Sequence, residues 1–287
     1  MATMLIFGMG YSAGVLAARL RDEGWTVHGT GRAGDLDFAD RAGVESALAG
    51  ASHVLSSVPP DRAGGGDPVL LHYGDAIVRS AAGWIGYLSS TGVYGDTGGA
   101  WVDESAPVGT GRRSARAAAD LAWGALDPRV RVLRLPGIYG PGRSALDRVR
   151  EGTAHRIDLP QQVFSRVHVD DIASGIIASF DGPPGVYNLA DDLPASQNAV
   201  IEEACRLLGR EVPPMLALEQ AGLSPMARAF YAENRRVANG KARRLLGWAP
   251  LYPTYREGLR GIAGTDSGPT TSSFEIAAGR FLPPRSS

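Results

Sequence analysis

Short apolar runs alternate with longer amphipathic segments along the first half of the chain. The short runs are typical of buried strands, whereas the segments between them place apolar residues three and four apart, as on one face of a helix. The strand candidates are "MLIF", "WTVHGT", "HVLSSV", "WIGYLSS" and "RVRVLRL". The helix candidates are "YSAGVLAARLRDEG", "RAGVESALAG", "DPVLLHYGDAIVRSAA" and "RSARAAADLAWGAL". This alternation predicts an α/β fold in which helices cover both faces of a doubly wound parallel sheet, a Rossmann fold.

The second half of the chain follows a looser pattern. After "LPGIYGPGR" we predict a helix at 195–209 and a basic helix near 240–246, with no regular alternation between them. This change favours a smaller carboxy-terminal domain on the substrate side, with elements that can interleave with the first domain. The predicted division is 1–140 for dinucleotide binding, 141–265 for the substrate side and 266–287 for a tail.

Composition narrows the range of partners. The 29 basic and 30 acidic residues leave a formal charge of −1, which offers no overall field to attract nucleic acid or an anionic membrane. No run is apolar for long enough to span a bilayer, and no His or Cys cluster has metal-ligand spacing. The chain starts without a basic leader, and the single cysteine, Cys205, fits a reduced, cytoplasmic setting. We therefore expect a small-molecule ligand, and neither a metal, a nucleic acid nor a membrane.

A glycine motif follows the first predicted strand. Gly8, Gly10 and Ala13 fit the pattern G-x-G-x-x-G/A at the entrance to the first predicted helix. In such a turn the backbone amides approach a pyrophosphate, and the helix N-terminus favours its negative charge. A tight strand-to-helix turn is the alternative interpretation, but the position of the motif between strand and helix favours dinucleotide binding.

The residues after the second strand bear on the choice of dinucleotide. Where NAD-binding proteins place an acid for the ribose, this sequence reads "GTGR", with Thr30 and Arg32. The Arg32 guanidinium suits a 2′-phosphate, and Thr30 can add a hydroxyl. The pattern therefore favours NADP over NAD, with a solvated loop arginine as the alternative interpretation of Arg32.

Several ordered motifs resemble those of a known family, the extended short-chain dehydrogenase/reductases. These include nucleotide-sugar epimerases and dehydratases. The short glycine motif resembles an atypical branch, since the usual epimerase loop reads T-G-x-x-G-x-x-G. The resemblance implies an NAD(P)-dependent oxidoreductase or epimerase acting on a small polar, nucleotide-sugar-like substrate. The motifs are "FGMGYSAG", "SSTGVYG" at 89–95, "LRLPGIYGPGR" at 133–143, "RVHVDDIA" at 166–173 and "GVYNLADD" at 185–192.

The same resemblance assigns roles at the active site and shows that two of the family's usual residues, a tyrosine and a lysine, are absent. It places Ser90 at the reacting oxygen, with Thr91 as its neighbour on the substrate side and the reserve candidate. The alternative interpretation is that both hydroxyls only satisfy the end of the strand at 84–90. The family's proton-donating tyrosine and its lysine would stand at Arg112 and Arg116. A guanidinium remains protonated near neutral pH, so Arg112 cannot replace the acid. Arg116 can take over the ribose contact, although a solvated helix face explains both arginines equally well.

Four other side chains are candidates for the site. Tyr94 follows the Ser90 motif and is our candidate for a replacement proton donor, with a structural or substrate-lining role as the alternative interpretation. Tyr139, Arg143 and His168 lie in the later motifs and are predicted to line the substrate, with Arg143 suited to an anionic group.

Two classes of function stay open at this level. One is the NADP-dependent enzyme, and the other is an NADP(H)-binding sensor or regulatory protein that lost proton transfer with the tyrosine. Relatives form two-fold dimers through helices like those at 67–82 and 112–126, which predicts a homodimer. The alanine-rich faces of these helices equally fit packing on their own sheet.

Overall fold

The computed structural model describes residues 1–61, 65–109, 114–223, 228 and 231–266. Its strands are β1 (Thr3–Phe7), β2 (Thr26–Gly29), β3 (His53–Ser56), β4 (Trp84–Ser90), β5 (Trp101–Val102), β6 (Val130–Leu135), β7 (Gly137–Tyr139), β8 (Arg156–Ile157), β9 (Arg166–His168), β10 (Gly185–Asn188), β11 (Met215–Leu216) and β12 (Arg236–Val237). Its helices are α1 (Tyr11–Asp22), α2 (Arg41–Gly50), α3 (Pro68–Arg79), α4 (Ser114–Leu126), α5 (Ala145–Arg150), α6 (Val169–Ala178), α7 (Gln197–Leu208), α8 (Gly240–Leu246) and α9 (Tyr255–Asp266), with a short 3-10 helix at Thr91–Tyr94.

Six of the described strands form one parallel sheet in the order β2-β1-β3-β4-β6-β10. Strand β1 lies next to the edge strand of this sheet, between β2 and β3. The loops that follow β1 and β3 therefore diverge, and a crevice opens beyond the carboxyl ends of these two strands. The predicted doubly wound α/β fold is confirmed.

The two faces of the sheet carry separate hydrophobic cores. Met4 and Ile6 pack with residues of α1 and α6 on one face. Leu5 and Phe7 pack with residues of α2, α3 and α4 on the other face. This division follows from the alternation of side chains along a strand. The core fixes β1, and with it the position of the turn that follows.

The substrate side is built from short elements that return to the sheet. Strands β5, β7 and β8 each pair in parallel with a distant partner, β12, β9 and β11 respectively. Helices α5, α7 and α9 share a core that includes Leu146, Val200 and Tyr255. Strand β10, from within the predicted second domain, completes the main sheet beside β6. The two predicted domains therefore interleave, and the predicted tail lies outside the described residues except for the end of α9.

The helices of the described ranges are all too short or too polar to cross a bilayer.

Candidate cofactor and active site

The turn between β1 and α1 has the backbone geometry that the glycine motif predicts. Gly8 has a φ of 86°, and a Cβ atom there would come within 2.9 Å of Val58 Cγ2. Gly10 is the N-cap of α1 and provides no side-chain cap, while Ala13 is buried against the sheet. The first residues of α1 line a cavity, and no N-cap side chain occupies their amides.

Neighbouring strands hold this turn in place. The Gly8 amide donates to Thr30 Oγ1 at 3.2 Å, and the Met9 amide donates to the Thr30 carbonyl at 2.7 Å. Ser57 Oγ donates to the Gly8 carbonyl at 2.5 Å. Thr30 is buried, so its position is that of a support for the glycine turn. Arg32, by contrast, is exposed on the loop after β2.

A cavity of about 440 Å³ runs from the start of α1 to the end of β4. One wall contains Gly10, Tyr11, Ser12 and Ala13, and the opposite end contains Ser90, Thr91 and Gly92. Side chains from α4 and from the carboxy-terminal half complete it: Arg116, Arg143, Phe164, Glu233 and Arg235. The glycine turn and the predicted Ser90 site therefore belong to one cavity.

Ser90 stands where β4 ends and the 3-10 helix begins. Its Oγ accepts the Gly92 amide at 3.1 Å, so the hydroxyl proton is available toward the cavity. The preceding Ser89 donates to the buried Asp120 carboxylate at 2.6 Å. The two serines thus have different roles, and Ser90 has a hydroxyl that can serve a ligand.

Arg116 lines the cavity from the first turn of α4. Its Nη1 donates to the Tyr87 hydroxyl at 2.9 Å and approaches the Leu88 carbonyl at 3.4 Å. Burial raises the pKa of Tyr87 to about 12, although the nearby Arg116 guanidinium acts in the opposite direction. Arg112, the other half of the replaced pair, lies outside the described residues.

The position of Tyr94 corrects the prediction that it transfers a proton. Its hydroxyl donates to Asn188 Oδ1 at 2.7 Å and accepts from Arg134 Nη1 at 3.0 Å. Arg134 in turn forms a buried ion pair with Asp120 at 2.6 Å. Tyr94 does not line the cavity, and burial raises its pKa. It acts as a structural link behind Ser90, because both its donor and its acceptor are used inside the protein.

A second cavity of about 370 Å³ adjoins the first and shares Gly137, Ile138, Arg143 and Phe164 with it. Arg143 is exposed and borders both cavities. Tyr139 lines the second cavity, and burial raises the pKa of its phenol. Its hydroxyl has no hydrogen-bond partner within the described part of the chain.

The position of His168 corrects a second prediction. The residue is fully buried and lines neither cavity. Its Nδ1 accepts the Asp170 amide at 3.2 Å as the N-cap of α6, and its ring packs against Tyr139 and Tyr252. Burial lowers its pKa. His168 therefore caps a helix and lies outside the lining of both cavities.

Three titratable side chains that line the cavity were missed by sequence reasoning. Tyr11 lies inside the glycine motif, and its hydroxyl donates to the Pro141 carbonyl at 3.0 Å beneath the Arg143 guanidinium. Glu233 and Arg235 come from "ENRR", which has no local pattern that indicates a site. Only long-range packing brings these two into the cavity.

Among the described residues, no group of three or more His, Cys, Asp or Glu side chains has the arrangement of a metal site. This agrees with the chemistry of the cavity, whose side chains are mainly hydroxyl and guanidinium groups.

Comparison of the chain with known proteins identifies a family to which it belongs. No family model matches the chain. The solved structure of a functionally unknown conserved protein from Silicibacter pomeroyi is 41% identical, covers 93% of this chain and 99% of its own, and superposes with a TM-score of 0.81. The chain belongs to the same family as that protein.

A more distant likeness identifies the fold. A human epimerase family protein, solved with NADPH, superposes with a TM-score of 0.73 at 16% identity, covering 91% of this chain and 99% of its own. The chain therefore has the fold of the NAD-dependent epimerases and dehydratases, as the sequence motifs predicted.

One curated relative has a named activity. A 3-diazoavenalumate denitrifying reductase from a Streptomyces species is 32% identical over 143 residues, which are 45% of this chain and 45% of the reductase. The chain thus matches less than half of that protein's length.

Proposed function

We propose that the protein is an NADP-dependent oxidoreductase or epimerase of the extended short-chain dehydrogenase/reductase type, with NAD as the alternative cofactor. The observation that supports this most strongly is the single cavity that joins the open amides of α1 to the Ser90 hydroxyl. One end suits a pyrophosphate, and the other suits a reacting oxygen. The NADPH of the human fold relative and the name of the Streptomyces reductase agree with this function.

The residues of the glycine turn fit a dinucleotide. The amides of Tyr11, Ser12 and Ala13 would hold the pyrophosphate, since Gly10 keeps the approach clear of a Cβ atom. Arg32 would bind the 2′-phosphate, and Arg116 would contact the ribose. When bound, the nicotinamide supplies or accepts the hydride.

Ser90 would act on the substrate. Its Oγ already accepts the Gly92 amide, so its proton can be donated to the oxygen of a carbonyl substrate. Thr91 lines the same end of the cavity. Because Ser90 is fixed at the end of a central strand, this donor is held in position before the substrate arrives.

Arg143 and Tyr139 would determine which substrate enters. Arg143 borders both cavities and can pair with a carboxylate or phosphate on the substrate. Tyr139 offers a buried phenol to the second cavity. These groups favour a small polar substrate that bears an anionic group.

A hydride-transfer screen tests the function. Purified protein is mixed with NADPH, or with NADP⁺, and a panel of nucleotide sugars, small carbonyl compounds and 3-diazoavenalumate, and the nicotinamide absorbance is followed. We expect at least one compound to change the absorbance, with single-turnover kinetics then isolating the chemical step. Tight NADPH binding with no turnover, together with a conformational change, would favour the sensor.

We also infer a homodimer and a cytoplasmic setting. Leu71 of α3 and Leu121 of α4 are 66% and 56% exposed, and both belong to the helices through which relatives were expected to pair. Light scattering at micromolar concentration should give twice the chain mass. Leu121→Glu should convert the protein to a monomer, whereas a wild-type monomer would contradict the proposal.

A further inference from the structure

We infer that Glu233 is the catalytic carboxyl group that exchanges the substrate's proton, in place of the tyrosine that the motif lacks. This inference rests on the proposed oxidoreductase function, and it concerns a residue with no assigned role. Glu233 lines the same cavity as Ser90, Thr91 and Arg116. It comes from the carboxy-terminal half of the chain, whereas the glycine turn comes from the amino-terminal end.

The segment that carries Glu233 is fixed on both sides. Gln162 Nε2 donates to the Glu233 carbonyl at 2.7 Å, and the Asn234 amide donates to Asp96 Oδ1 at 2.8 Å. Strand β12 then continues the segment beside β5. The segment that carries Glu233 is therefore held against the loop that follows the 3-10 helix after Ser90.

Arg235 orients the carboxyl group. Its Nη1 donates to Glu233 Oε2 at 3.0 Å and to the Gly95 carbonyl at 2.5 Å. The Glu233 and Arg235 side chains are 6% and 17% exposed. Since Gly95 directly follows the 3-10 helix that Ser90 caps, Arg235 connects the carboxyl group to the reactive end of the cavity.

The other side chains of the cavity are poor proton exchangers. Arg116, Arg143 and Arg235 carry guanidinium groups, which are hydrogen-bond donors and do not serve as proton acceptors in proteins. Tyr11 already donates to the Pro141 carbonyl, and burial raises its pKa. Of the described residues that line this cavity, Glu233 is the only one with a carboxyl group. Carboxyl groups are common general acids and bases, so Glu233 has the chemistry that the cavity otherwise lacks.

Glu233 would exchange the substrate's proton in both directions of the reaction. In the oxidation direction the Glu233 carboxylate takes the proton of the substrate hydroxyl as the O–H bond breaks. The electron pair of that bond forms the carbonyl, and the hydride leaves the same carbon for the oxidised nicotinamide. In the reduction direction the carbonyl carbon would take the hydride back from a bound reduced nicotinamide, and the Glu233 carboxyl gives its proton to the oxygen that Ser90 polarises. Arg235 stabilises the carboxylate in either direction.

The test compares three substitutions at Glu233 with a matched control. In Glu233→Gln, which keeps the size of the side chain, the single-turnover rate on the compound found in the screen should fall by roughly 10²–10⁴-fold. Glu233→Asp should keep a measurable part of that rate. Glu233→Ala should be slow but partly rescued by added formate, a small carboxylate that fits the vacated space, whereas Glu233→Gln should not be rescued. The control Glu202→Gln removes a carboxylate that pairs with Arg156 at 2.8 Å outside the cavity, and should leave the rate unchanged.

Two readouts that do not depend on turnover separate chemistry from folding and cofactor binding. The first readout is the affinity for NADPH, measured by energy transfer from tryptophan to the nicotinamide. The Kd of the Glu233→Gln protein should lie within about twofold of the wild-type Kd. The melting temperature of this variant should stay within a few degrees of the wild type. A wild-type rate in Glu233→Gln would overturn the assignment while leaving the oxidoreductase function intact. If the wild-type protein binds no NADPH or turns over no compound, the oxidoreductase function fails and the Glu233 assignment fails with it.

Discussion

The two walls of the main cavity come from very different lengths of chain. The wall of the glycine turn lies within one strand–turn–helix unit, from Thr3 to Asp22. The wall that contains Glu233 and Arg235 depends on hydrogen bonds between distant segments of the chain. Gln162 and Glu233 are 71 positions apart, and Gly95 and Arg235 are 140 apart. A local wall leaves a motif in the sequence, because its function depends on a fixed spacing of glycines. A wall assembled from distant segments leaves no such motif.

The buried Asp120–Arg134 pair joins α4 to β6 and supports Tyr94 and Ser89, the second of which lines the main cavity. Asp120→Ala should cost about 3–5 kcal/mol of unfolding free energy, because it leaves the Arg134 charge buried without its partner. Urea unfolding measures the loss. The control Glu45→Ala breaks an exposed pair with Arg41 and should cost less than about 1 kcal/mol. Equal effects for the two variants would show that the buried pair is not the support that we describe.

Removing the Ser90 hydroxyl tests the reactive end of the cavity separately from its cofactor end. Ser90→Ala should lower the single-turnover rate by roughly 10²–10³-fold, because the reacting oxygen loses its donor. The NADPH Kd should not change, and Ser90→Thr should keep much of the rate because it retains a hydroxyl on Cβ. A wild-type rate for Ser90→Ala would remove Ser90 from the mechanism.

Arg116 tests whether the replaced lysine position still contacts the cofactor. Arg116→Ala should weaken NADPH binding by roughly tenfold, the loss of one charge-assisted contact. Arg116→Lys should recover part of the affinity. Fluorescence titration measures both constants. An unchanged Kd in Arg116→Ala would instead identify this arginine as a support for Tyr87 only.

A smaller effect is expected at Asp191, on the substrate side. Burial raises the pKa of this carboxyl to about 8, although Arg166 nearby acts in the opposite direction. An unfolded aspartate has a pKa of about 3.9, so the folded state binds the extra proton between these values. This stabilisation is complete below pH ~4 and is lost as the pH rises through about 8.

Asp191→Asn removes this titration. Thermal unfolding should therefore show the variant to be a few degrees more stable than the wild type at pH 9 and equal to it at pH 4. A constant difference between the two proteins at all pH values would contradict the buried titration.

The sequence predicted the parts of the molecule that short-range patterns control. Apolar periodicity identified the strands and helices of the sheet, and the glycine spacing identified the β1–α1 turn. It was wrong for Tyr94 and His168, because a motif cannot show whether a side chain beyond a strand end faces a cavity or the interior. It missed Glu233 and Arg235 because their place depends on the pairing of β5 with β12. The sequence could not show that β10 pairs with β6 in the main sheet, because strand order is decided by packing.

The most direct test of the central claim is a titration of the purified wild-type protein with NADPH and NADH, followed by energy transfer from tryptophan to the nicotinamide. The same titration is repeated with Arg32→Ala. We expect NADPH to bind more tightly than NADH by roughly tenfold or more, and Arg32→Ala to remove this preference while leaving NADH binding nearly intact. Failure of the wild type to bind either dinucleotide would contradict the proposed function, and equal affinities for the two would contradict the assignment of Arg32 to the 2′-phosphate.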